Sequence, residues 1–393
     1  MALGEKIMAR STGEKTVVVG SRLEIQIDWC LVNDASAHRS IDFFEETTTV
    51  FDKNKVVVVL DHDTPSGSEA VSVIQRKLIN FAKAQDTIFL QGEGVGYQLM
   101  LDKYVQSGQI VVGCGEHIAV FGAIGALGFT VEPEKLAAAM KCGVVSMLVP
   151  ETVQIELTGE LRAGVYAKDA ILTIIRDQGT KQLAGKLIEF VGPAIKTLTL
   201  NDRITICNLA GKMNAFSSIF NLEEPEKQVS CASQLKYDLG KLRSQIAMPD
   251  NFESIVDVDL LKNVKVNEVF VGGCSGGRIE DLRIAAGIIK GKKVAKGVRM
   301  MVAPITSEIY VQALREGLIT DFIDAGAVVM NQGCSVCWGK SQGIIDTDEV
   351  LVSAGSYNCK GCAGAATAKI YVASAATAAA SAISGFINSQ GGR

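Results

Sequence analysis

Five times along this chain a short apolar run breaks off in a loop carrying glycine together with histidine, cysteine or asparagine. The five lie in KVVVVLDHDTP (Lys55–Pro65), QIVVGCGEH (Gln109–His117), NEVFVGGCSGG (Asn267–Gly277), AGAVVMNQGCSVC (Ala325–Cys337) and DEVLVSAGSYNC (Asp348–Cys359). Consecutive apolar positions bury both faces of a strand, the habit of parallel sheets covered by helices on either side. Helical patterns fall between the runs, in SGSEAVSVIQRKLINFAKA (Ser66–Ala84), RIEDLRIAAGIIKG (Arg278–Gly291) and PITSEIYVQALREGL (Pro304–Leu318). The last opens with Thr-Ser-Glu, favourable chemistry for a helix N-terminus. The expected fold class is α/β.

In open α/β sheets, ligands gather where the strands end. A single glycine loop after a strand is simply a good turn, but five together point to a shared site. Breaks are expected near PETVQIELTGELRAGV (Pro150–Val165) and SQIAMPDNFESIVDV (Ser244–Val258). They divide the chain into three α/β domains, 1–157, 158–245 and 246–393.

Composition narrows the partners. The 393 residues are 48% apolar, enough for two or three cores. Lys and Arg number 39 against 43 Asp and Glu, a net charge of −4. That balance offers no basic face for nucleic acid. The charged start, MALGEKIMARSTGEK, lacks the apolar stretch of a secretory signal. IYVASAATAAASAISGFI (Ile370–Ile387) is uncharged over 18 residues, near the length of a membrane span, yet it is mostly Ala and Ser. It is read as a buried helix in close contact with its neighbours, not as a membrane segment. A cytoplasmic, reducing setting is expected, where paired cysteines bind metal or do redox chemistry.

The ten cysteines are too few and too dispersed for a disulfide framework. Cys334 and Cys337 sit in a glycine-bounded turn that lets both sulfurs face one centre. Cys359 and Cys362 repeat the spacing, and Cys274 lies between a strand and a helix N-terminus. Thiolates suit zinc or an iron–sulfur cluster. A bland alternative for Cys359 and Cys362 is that they serve as small hydrophobes.

Here a family resemblance enters. GGCSGGRIEDLR, NQGCSVCWG and AKIYVASAATAAASAISGFI resemble the large subunit of 3-isopropylmalate dehydratase, in the aconitase superfamily, and the likeness runs through nearly the whole chain. DHDTP is similar to that family's Asp-His strand end, and GCGEHIAVFGAIGALG to its Asp-Ser-His-Thr segment. VPETVQIELTGEL and RITICNLAG follow its pattern in order. The resemblance implies an aconitase-like fold of three α/β domains around a [4Fe–4S] cluster held by Cys274, Cys334 and Cys337. Three thiolates leave one iron open as a Lewis acid for a substrate hydroxyl and carboxylate. It also implies that Asp61, His62 and His117 manage the hydroxyl proton. The base of this family is a serine on a swivelling domain, which in the isopropylmalate type is a separate small subunit. Such a partner is therefore expected. His38, in NDASAHRS, falls in another active-site-like stretch, although the family has no histidine there. The bland reading of each histidine is a hydrogen-bonded core or rim residue.

The departures are as informative. Gly115 and Glu116 replace the Asp and Ser before His117, and Tyr97 in GEGVGYQ replaces a histidine. Lys212, four residues after Asn208, replaces a glutamate. Tyr357 and Cys362 stand where the family has arginines that grip carboxylate. Losing two arginine forks removes several kcal/mol of anion binding, at roughly 1.5–3 per charged hydrogen bond. The expected pocket is a rebuilt one, with Asn208, Ser356, Tyr357, Lys212 and Glu116 meeting the substrate, and Glu116 standing in for the lost Asp beside His117. The expected activity is dehydration or isomerisation of a small hydroxy acid other than 2-isopropylmalate. The alternatives are a non-catalytic iron–sulfur protein, with Cys359 or Cys362 as a fourth ligand, and an inactive scaffold paralogue.

Overall fold

The computed structural model describes residues 1–45, 47–223, 233–339 and 342–389. Its first sheet holds five parallel strands, Trp29–Asn33 (β1), Val56–Leu60 (β2), Ile88–Gln91 (β3), Ile110–Gly113 (β4) and Leu127–Thr130 (β5), in the order β3-β2-β1-β4-β5. β1 and β2 are buried at every position. The second sheet has four parallel strands, Thr152–Thr158 (β6), Leu187–Val191 (β7), Ser217–Phe220 (β8) and Ser233–Asp238 (β9), in the order β8-β7-β6-β9. The third has seven: Gln245–Ala247 (β10), Ile255–Asp257 (β11), Glu268–Gly272 (β12), Arg299–Ala303 (β13), Val328–Val329 (β14), Val350–Ser353 (β15) and Lys369–Ala373 (β16). They run β11-β10-β16-β15-β12-β13-β14, parallel except for the antiparallel pairings of β10. A small antiparallel ribbon joins Arg22–Gln26 to Val144–Leu148.

The α/β expectation holds, with local corrections. The stretch Pro150–Val165, expected as a break, contains β6, which is hydrogen-bonded on both sides. Its buried Gln154 donates to Glu189 at 3.3 Å, so a polar side chain is satisfied inside the sheet. Ser244–Val258 likewise contains β10 and β11. The uncharged run from Ile370 is not one helix but β16 followed by a helix, Ala375–Ser384, capped by Ser374, which accepts from the Thr377 N–H at 3.3 Å. Its small residues are buried against the helix Ile279–Ile289. Among the described residues no helix is long and apolar enough to cross a membrane.

Candidate active site

The carboxyl ends of the first and third sheets face each other. Gly94 bridges Thr306, and the Asn331 side chain donates to the Thr64 carbonyl at 2.8 Å. From one side come Asp34 after β1, Asp61 and His62 after β2, and His117 after β4. From the other come Cys274 after β12, Cys334 and Cys337 after β14, and Ser356 after β15.

The three cysteines are buried and meet. A Cβ on Gly273 would lie 3.4 Å from the Cys337 Cβ and 3.8 Å from the Cys334 carbonyl, so the Cys274 loop rests on the Cys334–Cys337 turn. A Cβ on Gly355 would lie 2.7 Å from the Cys337 sulfur. The Cys274 sulfur sits 3.0 Å from the Ser356 hydroxyl, 3.6 Å from Asn208 Oδ1 and 3.7 Å from His117 Nε2. Burial works to raise the Cys274 pKa, but His117, Ser356 and Tyr97 outweigh it and bring it down to about 5. Burial pushes Cys337 up to about 12 and raises Cys334 as well. Those two sulfurs become thiolates when a cation takes their protons' place.

His62 joins the other wall. Burial alone would lower its pKa, but the Asp61 charge, Cys334 and the Asp61 hydrogen bond hold it well above the usual value. Its ring meets Trp338 edge-on at 5.0 Å. Asp61 also accepts the Gly96 N–H at 2.8 Å. Beneath them Asp34 accepts the backbone N–H groups of Asp61, His62 and Asp63 at 3.3, 3.0 and 3.4 Å. Burial first, then the Asp61 charge, raises Asp34 to about 6.

Lys212 and Glu116 are paired at 2.5 Å. The Lys212 ammonium also lies over the Tyr357 ring, 4.2 Å from its centroid, and 5.3 Å from that of Phe252. This corrects the expected role of Glu116. Its carboxylate turns to Lys212, not to His117, whose Nδ1 has no hydrogen-bond partner. Burial tends to raise the Glu116 pKa; the Lys212 charge overrides it and the net shift is downward. His38 bonds the Ala35 carbonyl of its own turn at 3.1 Å.

The surroundings of Cys274 fit a cluster. His117 Nδ1 and Asn208 Nδ2 are buried without hydrogen-bond partners, and both residues stand beside that sulfur. An orphaned buried polar group costs about 1–3 kcal/mol, so two in one place mark where a polar guest belongs. Among the described residues, the one group of at least three His, Cys, Asp or Glu whose ligand atoms lie within 4.8 Å of one another is Asp34, Asp61 and His62, not the cysteines. The three sulfurs therefore do not all lie within 4.8 Å of one another. They suit a cluster, in which each thiolate takes its own iron.

Sequence reasoning missed several supports. Arg278, buried, donates to the Cys274 carbonyl and to Asn201 and Thr205. Lys168, on the helix Ala167–Gln178, donates to Ser275 Oγ at 3.0 Å and to the carbonyls of Ala354 and Gly355, the latter at 3.1 Å. It ties the Cys274 loop to the Ser356 loop, and burial brings its pKa down to about 8. A lysine within the apolar helix segment AKDAILTII was the available signal for it.

Buried thiols gathered between the facing carboxyl ends of two sheets mark the candidate site of an α/β protein. The aconitase (aconitate hydratase) family model matches residues 5–229 and 224–385. The chain is 33% identical to 3-isopropylmalate dehydratase large subunit 2 of Archaeoglobus fulgidus, over 98% of this chain and 97% of that one. It is 31% identical to the probable methanogen homoaconitase large subunit of Methanothermobacter thermautotrophicus, over 99% and 97%. In fold it is similar to Thermococcus kodakaraensis aconitase X, holo-form, with a TM-score of 0.54 at 11% identity, covering 91% of this chain and 94% of that one. The chain belongs to the aconitase family, and it is an enzyme of the hydro-lyase type.

Proposed function

We propose that this chain is the large subunit of an iron–sulfur-dependent hydro-lyase whose substrate is a small hydroxy carboxylic acid other than 2-isopropylmalate. The observation that carries the proposal is the meeting of Cys274, Cys334 and Cys337 between His62 and His117. The three cysteines would hold a [4Fe–4S] cluster, which when bound supplies a Lewis-acidic iron for a hydroxyl and a carboxylate.

The chain's own residues do the rest. His62, charged through Asp61, holds the proton that a departing hydroxyl needs. Asp34 fixes the backbone of that pair. His117 and Asn208, with their unpartnered nitrogens, orient the reacting end of the substrate. Lys212 offers one positive charge and Tyr357 one neutral hydrogen bond and an aromatic wall. That set grips one carboxylate where two arginine forks would grip more. The proton-abstracting base comes from a separate small subunit, consistent with the large-subunit names of the relatives. In this proposal the chain works in the cytoplasm. It divides into three α/β units, one for each large sheet, with β6 belonging to the middle one.

The test is an anaerobic assay of the chain with its small subunit against a panel of small 2-hydroxy acids and their unsaturated partners. Turnover of a monocarboxylic or short dicarboxylic member, above that of 2-isopropylmalate, is expected. Equal or better use of 2-isopropylmalate contradicts the substrate proposal. No turnover of any member by cluster-loaded protein contradicts the hydro-lyase proposal.

A further inference from the structure

A second pair of cysteines, Cys359 and Cys362, lies outside the buried trio and has no part in the chemistry above. The Cys362 N–H donates to the Cys359 carbonyl at 3.1 Å, closing a four-residue turn. Gly361, its third residue, has φ +74°. A positive φ at that position is the mark of a type II turn, whose first and fourth Cα atoms lie within about 7 Å. A disulfide requires roughly 4.4–6.8 Å between the same atoms. The two side chains interact, each shifting the other's pKa. Access is unequal, because Cys359 is exposed and Cys362 half-buried.

The groups facing Cys359 favour its thiolate. The Cys362 hydrogen bond comes first, and with the Lys212 charge it outweighs burial and the opposing Glu116 charge. The result is a pKa of about 7. Lys360 reaches towards Asp250 at 3.9 Å, so its charge is directed elsewhere. An accessible, acidic thiol beside a less accessible one is the division of labour of an attacking and a resolving sulfur.

We infer that Cys359 and Cys362 form a thiol–disulfide exchange couple at the rim of the active site, with a low-molecular-weight disulfide as co-reactant. The Cys359 thiolate attacks one sulfur of that disulfide, breaking its S–S bond and releasing one small thiolate, which takes a proton from solvent. Cys362 then loses its proton to solvent and attacks the Cys359 sulfur of the mixed disulfide. The second small thiolate departs as the Cys359–Cys362 bond forms and takes a proton from solvent. Counted from two neutral thiols, the pair gives up two electrons and two protons, and the small disulfide is reduced to two thiols. Oxidation withdraws a negative charge from the neighbourhood of Lys212, so the charge of the pocket follows the redox state of its surroundings.

The test uses anaerobically purified full-length protein in glutathione buffers of graded oxidised-to-reduced ratio. After alkylation, the protein is digested with a protease that spares Lys360, and the peptides are mapped by mass. The peptide holding both cysteines should pass from two alkylated thiols to an internal disulfide lacking two hydrogens, while Cys274, Cys334 and Cys337 stay unlinked. With oxidised glutathione, Cys362→Ser should accumulate a mixed disulfide on Cys359. Cys359→Ser should react at Cys362 about tenfold more slowly, or slower still. Two free thiols at the most oxidising ratio, or no adduct on Cys362→Ser, would overturn the inference. So would protection of both cysteines from alkylation until iron is chelated, since that would make them metal ligands.

Discussion

The Ser356 hydroxyl lies 3.0 Å from the Cys274 sulfur, across the loops that end two neighbouring parallel strands. The pairing of β12 with β15 sets that distance, so the sheet itself delivers a hydrogen-bond donor to the thiolate. Hydrogen bonds to cluster sulfurs raise the reduction potential by stabilising the more negative state. Ser356→Ala is expected to lower the midpoint potential of the proposed cluster by roughly 60 mV, the equivalent of about 1.4 kcal/mol for one electron. A redox titration followed by EPR checks this. An unchanged potential would mean that the hydroxyl serves only to fill space.

Gly355 presses its backbone against the Cys337 sulfur, with 2.7 Å left for any added Cβ. Gly355→Ala should displace that sulfur and cost about 1–3 kcal/mol of stability through overpacking. Iron should also pass to a chelator faster than from the unmodified protein. Timed chelation and a melting curve together separate the two effects.

Glu116 neutralises Lys212, and its carboxylate is half exposed, with 53% of the side chain accessible. Glu116→Gln should free the ammonium for an incoming carboxylate. The expected gain is about 1 kcal/mol, or roughly fivefold in affinity, because solvent screens an exposed pair. Inhibition constants for a simple dicarboxylate such as malonate read it directly. Weaker inhibition in the variant would show that Glu116, not Lys212, meets the ligand.

Far from the site, Glu268 is buried and bonded to Arg299 at 2.8 and 3.1 Å, while its other oxygen has no partner. Burial wins over the Arg299 charge and raises its pKa to about 7, above its ordinary 4.5. The folded state therefore holds this proton more tightly than the unfolded chain does. Its contribution to stability is complete below about pH 4.5 and is lost as the pH rises through about 7. The difference is on the order of 3 kcal/mol. Glu268→Gln should flatten the denaturation midpoint across that window.

What the sequence made legible was what lies close along the chain. The loops with His117 and with Cys274 each announce themselves as a buried strand ending in glycine and a reactive side chain, and Asp61 and His62 as the polar end of a buried strand. The Cys334–Cys337 turn announces itself by its glycine-bounded cysteine pair alone, because the strand before it has only two residues and leaves Val328 exposed. The α/β class follows from the same pattern. The supports were harder to see because their partners are remote. Lys168 bonds the loops of Ser275 and Gly355, more than a hundred positions away. Arg278 reaches Asn201 and Thr205 on another helix. Glu116 misled because it stands next to His117 in sequence, whereas its side chain points towards Lys212. The alanine-rich end misled because small apolar residues serve a strand or a helix equally well, and the break between β16 and the helix rests on the Ser374 cap.

Iron and acid-labile sulfide, measured on anaerobically purified protein and on the Cys274→Ala, Cys334→Ala and Cys337→Ala variants, test the central claim most directly. The account predicts iron and sulfide in the proportions of a [4Fe–4S] cluster in the unmodified chain, and loss of both in every variant that still folds. Protein that carries no iron under those conditions, or a Cys274→Ala variant that keeps its full complement, would contradict it.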